Sequence, residues 1–259
     1  MNPSDRDPMP NNSQPLVASY CTTFLKPEMR HIYRQVTSLR DCRTFVLTKQ
    51  RQNGERFPFR DIEVVPRPRK NFIRRFYLKH VRKLPPIVYR GEFQTLFKIM
   101  RRRPADLMHI YFGHTAVHLL PFIEAWRRPC VVSFHGADVM LRERADYAAS
   151  MRRMLEVVPL VMVRSESLRE RVVALGCAPE KIRLNRTGIP LDSFAFCERE
   201  PPESGAWRLV QACRLIPKKG IRTALRAFRS FAERHPQARF VLAGEGPLEQ
   251  SLREFAAEL

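Results

Sequence analysis

From residue 15 onward, short apolar runs alternate with longer stretches whose apolar residues recur at helical spacing. LVASY (16–20), RTFVLTK (43–49) and DIEVV (61–65) read as strands, and PEMRHIYRQVTSL (27–39) as a helix with Pro27 in its first turn. LMHIYF (107–112), CVVSF (130–134) and LVMVR (160–164) are nearly uninterrupted apolar runs, the type buried on both faces of a parallel sheet. Helical stretches lie at 115–127, roughly 142–157 and 166–175, and KIRLNRTGI reads as a further strand running to Gly188. This alternation predicts βαβ units and an α/β, doubly wound sheet.

Residues 190–206, PLDSFAFCEREPPESGA, break the pattern with three prolines, four acids and no periodicity, and read as an interdomain linker. The alternation then restarts: WRLVQAC (207–213) as a strand, GIRTALRAFRSFAERHP (220–236) as a helix, ARFVLAG (238–244) as a strand and PLEQSLREFAAEL (247–259) as a helix with Pro247 in its first turn. The division expected is a disordered lead-in at 1–14, a first domain at 15–189, the linker, and a second domain at 207–259. Two strands and two helices cannot cover both faces of a doubly wound sheet, so the second domain reads as cut short.

Charge changes the picture. Lys plus Arg number 46 against 26 Asp plus Glu, a formal net charge of +20 that favours polyanions without choosing among them. The segment 67-RPRKNFIRRFYLKHVRK-83 holds eight Lys/Arg and no acid, and Arg101-Arg102-Arg103 follow. One reading is a solvated helix face. The sharper one is a surface for anionic lipid headgroups, with Phe72, Ile73, Phe76, Tyr77 and Leu78 as apolar contacts. No nucleic-acid-binding signature accompanies the charge, so nucleic acid is not the expected partner. The start MNPSDRDPMPNNSQP lacks the apolar core of a signal peptide, and no apolar run is long enough to span a bilayer. The expected location is cytoplasmic, against the inner face of the plasma membrane. The six cysteines have neither zinc-finger nor disulfide-framework spacing and read as reduced thiols.

The candidate chemistry sits at strand ends. In a parallel sheet, ligands bind beyond the C-terminal strand ends, and CVVSF ends there in His135-Gly136-Ala137-Asp138. Gly136 allows a tight turn, and Asp138 can orient the imidazole or cap the next helix. A lone histidine after a strand is more often structural. After WRLVQAC comes 214-RLIPKKGIRTAL-225, which puts Arg214 and Lys219 beside a helix start at Gly220, an arrangement suited to a diphosphate; the plain alternative is two surface cations. In the stretch 165–194, Ser165 reads as an N-cap, Gly176 as a C-cap, and Glu166 as a candidate ligand contact. His109, His114 and His118 raise a metal site, but no nearby acid or cysteine completes a ligand set, and none is expected.

These stretches, in this order, resemble the GT-B glycosyltransferases of family 4. The correspondence runs through His135-Gly136-Ala137-Asp138, the 165–194 stretch, Arg214 through Gly220, and Gly244-Glu245-Gly246-Pro247. It is close over 105–259 and loose over 15–104; the pattern 106–121 is most similar to enzymes building exported polysaccharides of the colanic-acid type. The resemblance implies two Rossmann-like domains with the active site in the cleft between them. It implies sugar transfer from a nucleotide-diphosphate donor to a glycan or lipid-linked acceptor, with retention and without a cofactor or metal. Arg214 and Lys219 would neutralise the leaving diphosphate. His135 would contact the transferring sugar, with Gly136, Asp138, Glu166, Gly244 and Gly246 as further candidate ligand contacts.

Three features depart from the family pattern. The stretch 20–33 after the first strand has no glycine, the acid usual after Gly188-Ile189 is displaced by Pro190 to Asp192, and no E-x7-E segment follows the second domain's first half. The expectation is therefore little transferase activity from this chain alone, with a non-catalytic remnant that binds membrane or a partner as the alternative.

Overall fold

The computed structural model describes residues 14–139 and 145–259, which fall into two compact units, Met1–Ile189 and Pro190–Leu259. The lead-in at 1–13 and the start of the helix expected from 142 lie outside the described residues.

In the first unit β1 (Leu16–Phe24) leads through a short turn to α1 (Arg30–Thr37), β2 (Arg43–Arg51) and β3 (Ile62–Val64). Then come α2 (Phe72–Phe76) with a π-helical turn (Tyr77–Val81), α3 (Pro86–Tyr89), α4 (Glu92–Arg102), β4 (Leu107–Tyr111), α5 (Gly113–Trp126) and β5 (Cys130–Ser133). α6 (Ala145–Val157), β6 (Leu160–Val163), α7 (Glu166–Ala174) and β7 (Ile182–Leu184) complete it. The strands form one parallel sheet in the order β3-β2-β1-β4-β5-β6-β7. The order reverses between β1 and β4, where a doubly wound sheet opens a crevice at its C-terminal edge.

Both sheet faces are covered, which is why the strands read as unbroken apolar runs. Tyr20, Phe45, Leu47, Met108 and Ile110 pack on one face with Leu96, Leu119, Phe122 and Met154 from α4, α5 and α6. Cys21, Val46 and Tyr111 pack on the other with Ile32 and Val36 of α1. α7 starts where the Ser165 hydroxyl accepts the Leu168 amide (3.2 Å). It ends in a Schellman motif, with Gly176 N–H donating to Val173 and Cys177 N–H to Val172.

Three expectations change. β7 stops at Leu184 instead of reaching Gly188: its partner β6 ends at Val163, the last ladder bond is Asn185 N–H to Val163 (2.7 Å), and 185–189 are exposed. Helix α4 was not anticipated; Gly91, in the left-handed region, starts it. The cluster at Arg101–Arg103 is not a free cationic patch: Arg102 pairs with Glu63, and Arg103 pairs with Asp61 (2.8 Å) and lies over the Phe45 ring (4.0 Å).

The second unit holds β8 (Arg208–Ala212), α8 (Ile221–Arg234), β9 (Arg239–Ala243) and α9 (Glu249–Ala257), with β8 and β9 parallel. Its core is small: Leu215, Ile221, Leu225 and Leu252, with Phe240 and Leu242 packed against them. The register partners Val210 and Val241 stay exposed.

Candidate active site

Among the described residues, two places in the first unit gather polar groups at the C-terminal sheet edge, both by the β1/β4 switch point. The first centres on His135, just past β5. Asp138, 3% exposed, turns back and accepts two backbone amides through Oδ2: His135 N–H (3.0 Å) and Gly113 N–H (3.1 Å). The carboxylate therefore does not orient the imidazole. It ties the strand-end loop to the first turn of α5, where negative charge is favoured. Gly136 occupies the left-handed region with φ +110°, as the tight turn requires.

The imidazole is oriented by another residue. His31 Nε2, on α1, lies 3.1 Å from His135 Nδ1, and the rings of Tyr111 and Phe112 flank His135 at 6.1 and 4.5 Å. Phe112 itself has φ +76°, a strained conformation for an aromatic residue at the β4–α5 junction. Burial, then the Arg164 guanidinium at the end of β6, lowers His135 to a pKa of about 2 and His31 to about 4. Both rings are neutral at pH 7, so His135 is a hydrogen-bonding group and a poor base. Among the described residues its Nε2 is buried without a partner, as are Nε and Nη2 of Arg164 and Oδ1 of Asp138. Buried polar atoms are normally satisfied, so such a set marks where a ligand's hydroxyls or water would bind.

The second place is a pocket of about 480 Å³ between the ends of β1 and β4, lined by Thr23, Lys26, Lys49, Arg90, His114 and His118 among others. Glu92 anchors it, 2.6 Å from Lys49 Nζ and 2.8 Å from His118 Nε2. Burial opposes ionisation of Glu92, but hydrogen bonds from His118 and Lys49 and their charges outweigh it and hold the carboxyl at about 2. The three histidines weighed as metal ligands diverge: His109 bonds Ser133, His118 bonds Glu92, and His114 lines the pocket.

In the second unit, Arg214 follows β8 and Lys219 closes a short turn before Gly220 and the N-terminus of α8; both cations are exposed. Gly244 and Gly246 have a packing role. A Cβ on Gly244 would sit 1.9 Å from the Cys213 carbonyl oxygen, and one on Gly246 2.4 Å from that of Leu215. The loop after β9 thus crosses directly over the loop that carries Arg214. Glu166 lies at the exposed start of α7, 3.6 Å from Arg169. Sequence reasoning assigned no role to His31 or Arg164; Arg164 ends an apolar strand run, a position that could have marked it.

Known proteins resemble this chain in sequence and fold. The model for Glycosyltransferase Family 4 matches residues 29–193, more than half of the chain, and that for Glycosyl transferases group 1 matches 196–259. A putative colanic acid biosynthesis glycosyltransferase, WcaL of Salmonella typhimurium, is 28% identical over 152 residues, 58% of this chain and 37% of the relative. The amylovoran biosynthesis glycosyltransferase AmsK of Erwinia amylovora is 26% identical over 157 residues, 60% of this chain and 38% of the relative. The chain thus spans under two fifths of these relatives' length. Among solved structures, Anabaena HepE in complex with UDP superposes with a TM-score of 0.67 at 14% identity, covering 95% of this chain and 66% of that one. Sucrose-phosphate synthase from Thermosynechococcus elongatus gives 0.64 at 12% identity, covering 93% and 68%. At these identities the likeness shows the fold alone, the parallel α/β fold of GT-B proteins.

Proposed function

The chain belongs to glycosyltransferase family 4, and from that premise we propose that it contributes to moving a sugar from a nucleotide-diphosphate donor onto a glycan or lipid-linked acceptor in polysaccharide biosynthesis. The observation that carries this reading is His135: a neutral imidazole at the sheet's C-terminal edge, aligned by His31, with a buried Nε2 that lacks a partner among the described residues. A sugar hydroxyl would satisfy it. Arg214 and Lys219 at the start of α8 would take the diphosphate, whose charge grows as the sugar departs. Those two cations remove the need for a metal. Retention is the course that the resemblance to family 4 implies. HepE, which shares the fold, has been solved with UDP and with UDP-glucose, and this makes UDP-glucose the first donor to try.

The test is calorimetric titration of the 259-residue chain with UDP-glucose. Removing one charge-assisted contact costs about 1.5–3 kcal/mol, so Arg214→Ala should weaken binding by at least tenfold. Equal affinity in the variant would take Arg214 out of the site.

The basic segment would hold the protein to an anionic membrane face. Phe72 and Ile73 are each 80% exposed, and Phe76, Tyr77 and Val81 join them, whereas Leu78 turns inward. Among the described residues no helix is long and apolar enough to cross a membrane. Flotation with phosphatidylglycerol vesicles should be lost when Lys79, Arg82 and Lys83 are changed to Glu. Unchanged flotation would remove this role from the segment.

A further inference from the structure

The pocket between the ends of β1 and β4 carries more positive charge than the fold uses. Lys49 is committed to Glu92, and His118 bonds the same carboxylate. Lys26 and Arg90, both exposed on the pocket wall, form no ion pair among the described residues. The single negative charge of Glu92 is matched by Lys49, which it contacts through Oε2, so it leaves these cations uncompensated. Hydroxyls add to the cations: Thr23 lies on the wall, and Thr115, 3% exposed, has an Oγ1 without a partner. A volume of about 480 Å³ exceeds what a bare anion needs and suits a headgroup with a sugar attached.

The pocket's outer wall continues into the basic segment. The Arg90 carbonyl accepts from Arg75 Nη2 (3.5 Å), and Pro68 packs on Gly91, where an added Cβ would come within 3.1 Å of it. Along that segment Phe72, Ile73, Phe76, Tyr77 and Val81 are exposed among Arg69, Lys70, Lys79, Arg82 and Lys83. An oxyanion-binding pocket whose rim is apolar and basic fits a ligand with a phosphate head and a hydrocarbon tail. A sugar carboxylate would satisfy the cations but leave the apolar rim without a function.

We infer that this pocket holds the phosphate or diphosphate of a lipid-linked acceptor, with Lys26 and Arg90 as its specificity determinants and Lys49, positioned by Glu92, completing the charge. The word acceptor rests on the glycosyltransferase reading above; the binding chemistry does not.

The experiment titrates the 259-residue chain with farnesyl diphosphate, farnesol, inorganic pyrophosphate and glucuronate, in separate runs. It compares a Lys26→Gln/Arg90→Gln variant with an Arg214→Ala/Lys219→Ala variant. Both substituted pairs are exposed, and circular dichroism should show both variants folded. Farnesyl diphosphate should bind more tightly than pyrophosphate, farnesol and glucuronate should bind far more weakly, and affinity should fall at least tenfold in the Lys26/Arg90 variant alone. Loss only in the Arg214/Lys219 variant would place the diphosphate in the donor site and overturn the inference. Equal binding of pyrophosphate would reduce the pocket to a site for a free anion, and equal binding of glucuronate would make it a carboxylate site; each result overturns the lipid-linked ligand. The donor reading fails separately, if Arg214→Ala leaves UDP-glucose binding unchanged.

Discussion

Asp138 is the residue on which the His135 site should depend most for its shape. Its Oδ2 accepts the amides of His135 (3.0 Å) and Gly113 (3.1 Å), two groups 22 positions apart in the chain, at 3% exposure. Asp138→Ala removes the oxygen that serves both amides and leaves two N–H groups unpaired, one buried and one part-buried. Each such group costs about 1–3 kcal/mol, so the change should destabilise the first unit by about 2–6 kcal/mol. Asp138→Asn keeps one oxygen able to accept but loses the charge assistance and the carboxylate's attraction for Arg164, whose guanidinium it helps keep charged against burial. That variant should cost about 1–2 kcal/mol. The direct assay is native-state hydrogen exchange at the His135 and Gly113 amides, with urea denaturation for the total. In Asp138→Ala those two amides should exchange roughly a hundredfold faster, taking about 1.4 kcal/mol per tenfold, while amides deep in β1 and β2 change only by the global loss. If Asp138→Ala stays within about 0.5 kcal/mol of the parent and protection at both amides is kept, the carboxylate does not tie the loop to α5 and the account of the site is wrong.

Gly244→Ala should unfold the second unit selectively. A methyl group 1.9 Å from the Cys213 carbonyl, at φ +153°, forces the backbone apart in a unit whose core holds four buried side chains. Loss of exchange protection in β8 and β9 with β1 and β4 intact is the expected result; an unchanged melting curve would refute the close approach. Acid should also weaken the first unit early. Unfolded imidazoles take a proton near 6.5, whereas His31 and His109 resist to about 4 and His135 to about 2. The unfolded state therefore binds more protons below 6.5, and stability present at neutral pH is lost as pH falls toward 4. After allowance for the solvent around His31 and His135, the loss between pH 7 and 5 should be about 2–4 kcal/mol. A His31→Gln/His135→Gln variant whose stability falls as steeply over that interval would assign the effect to other groups.

What could be read from the residues and what could not divide along a physical line. Strand positions were legible because both sheet faces are buried, which makes 107–112, 130–134 and 160–164 unmistakable apolar runs. Caps were legible because they are local: Ser165 is three residues from the amide it accepts, and Gly176 ends its helix with bonds that reach back three and five residues along the chain. Helix α4 was not, since its start depends on Gly91 fitting against Pro68 and its acid, Glu92, is explained only by Lys49 and His118, 43 and 26 positions away. The same holds at the site. Asp138 had two plausible local roles, orienting the imidazole or capping the next helix, but it accepts instead from the amide of Gly113 at the start of α5, an earlier helix; His135 looked solitary until α1 brought His31 to it across 104 positions. The strand order did this. Because β1 and β4 are neighbours, the segments after them, which have no pattern in common, form the walls of one pocket: Lys26 and Met29 from one, His114 and His118 from the other. The uneven charge was visible in the chain, but not its division into Arg102 and Arg103, spent on Asp61 and Glu63 at β3, and Lys26 and Arg90, which face a cavity without ion-pair partners among the described residues. Composition could therefore say that this protein favours anions, and only the topology says at which crevice it would bind one.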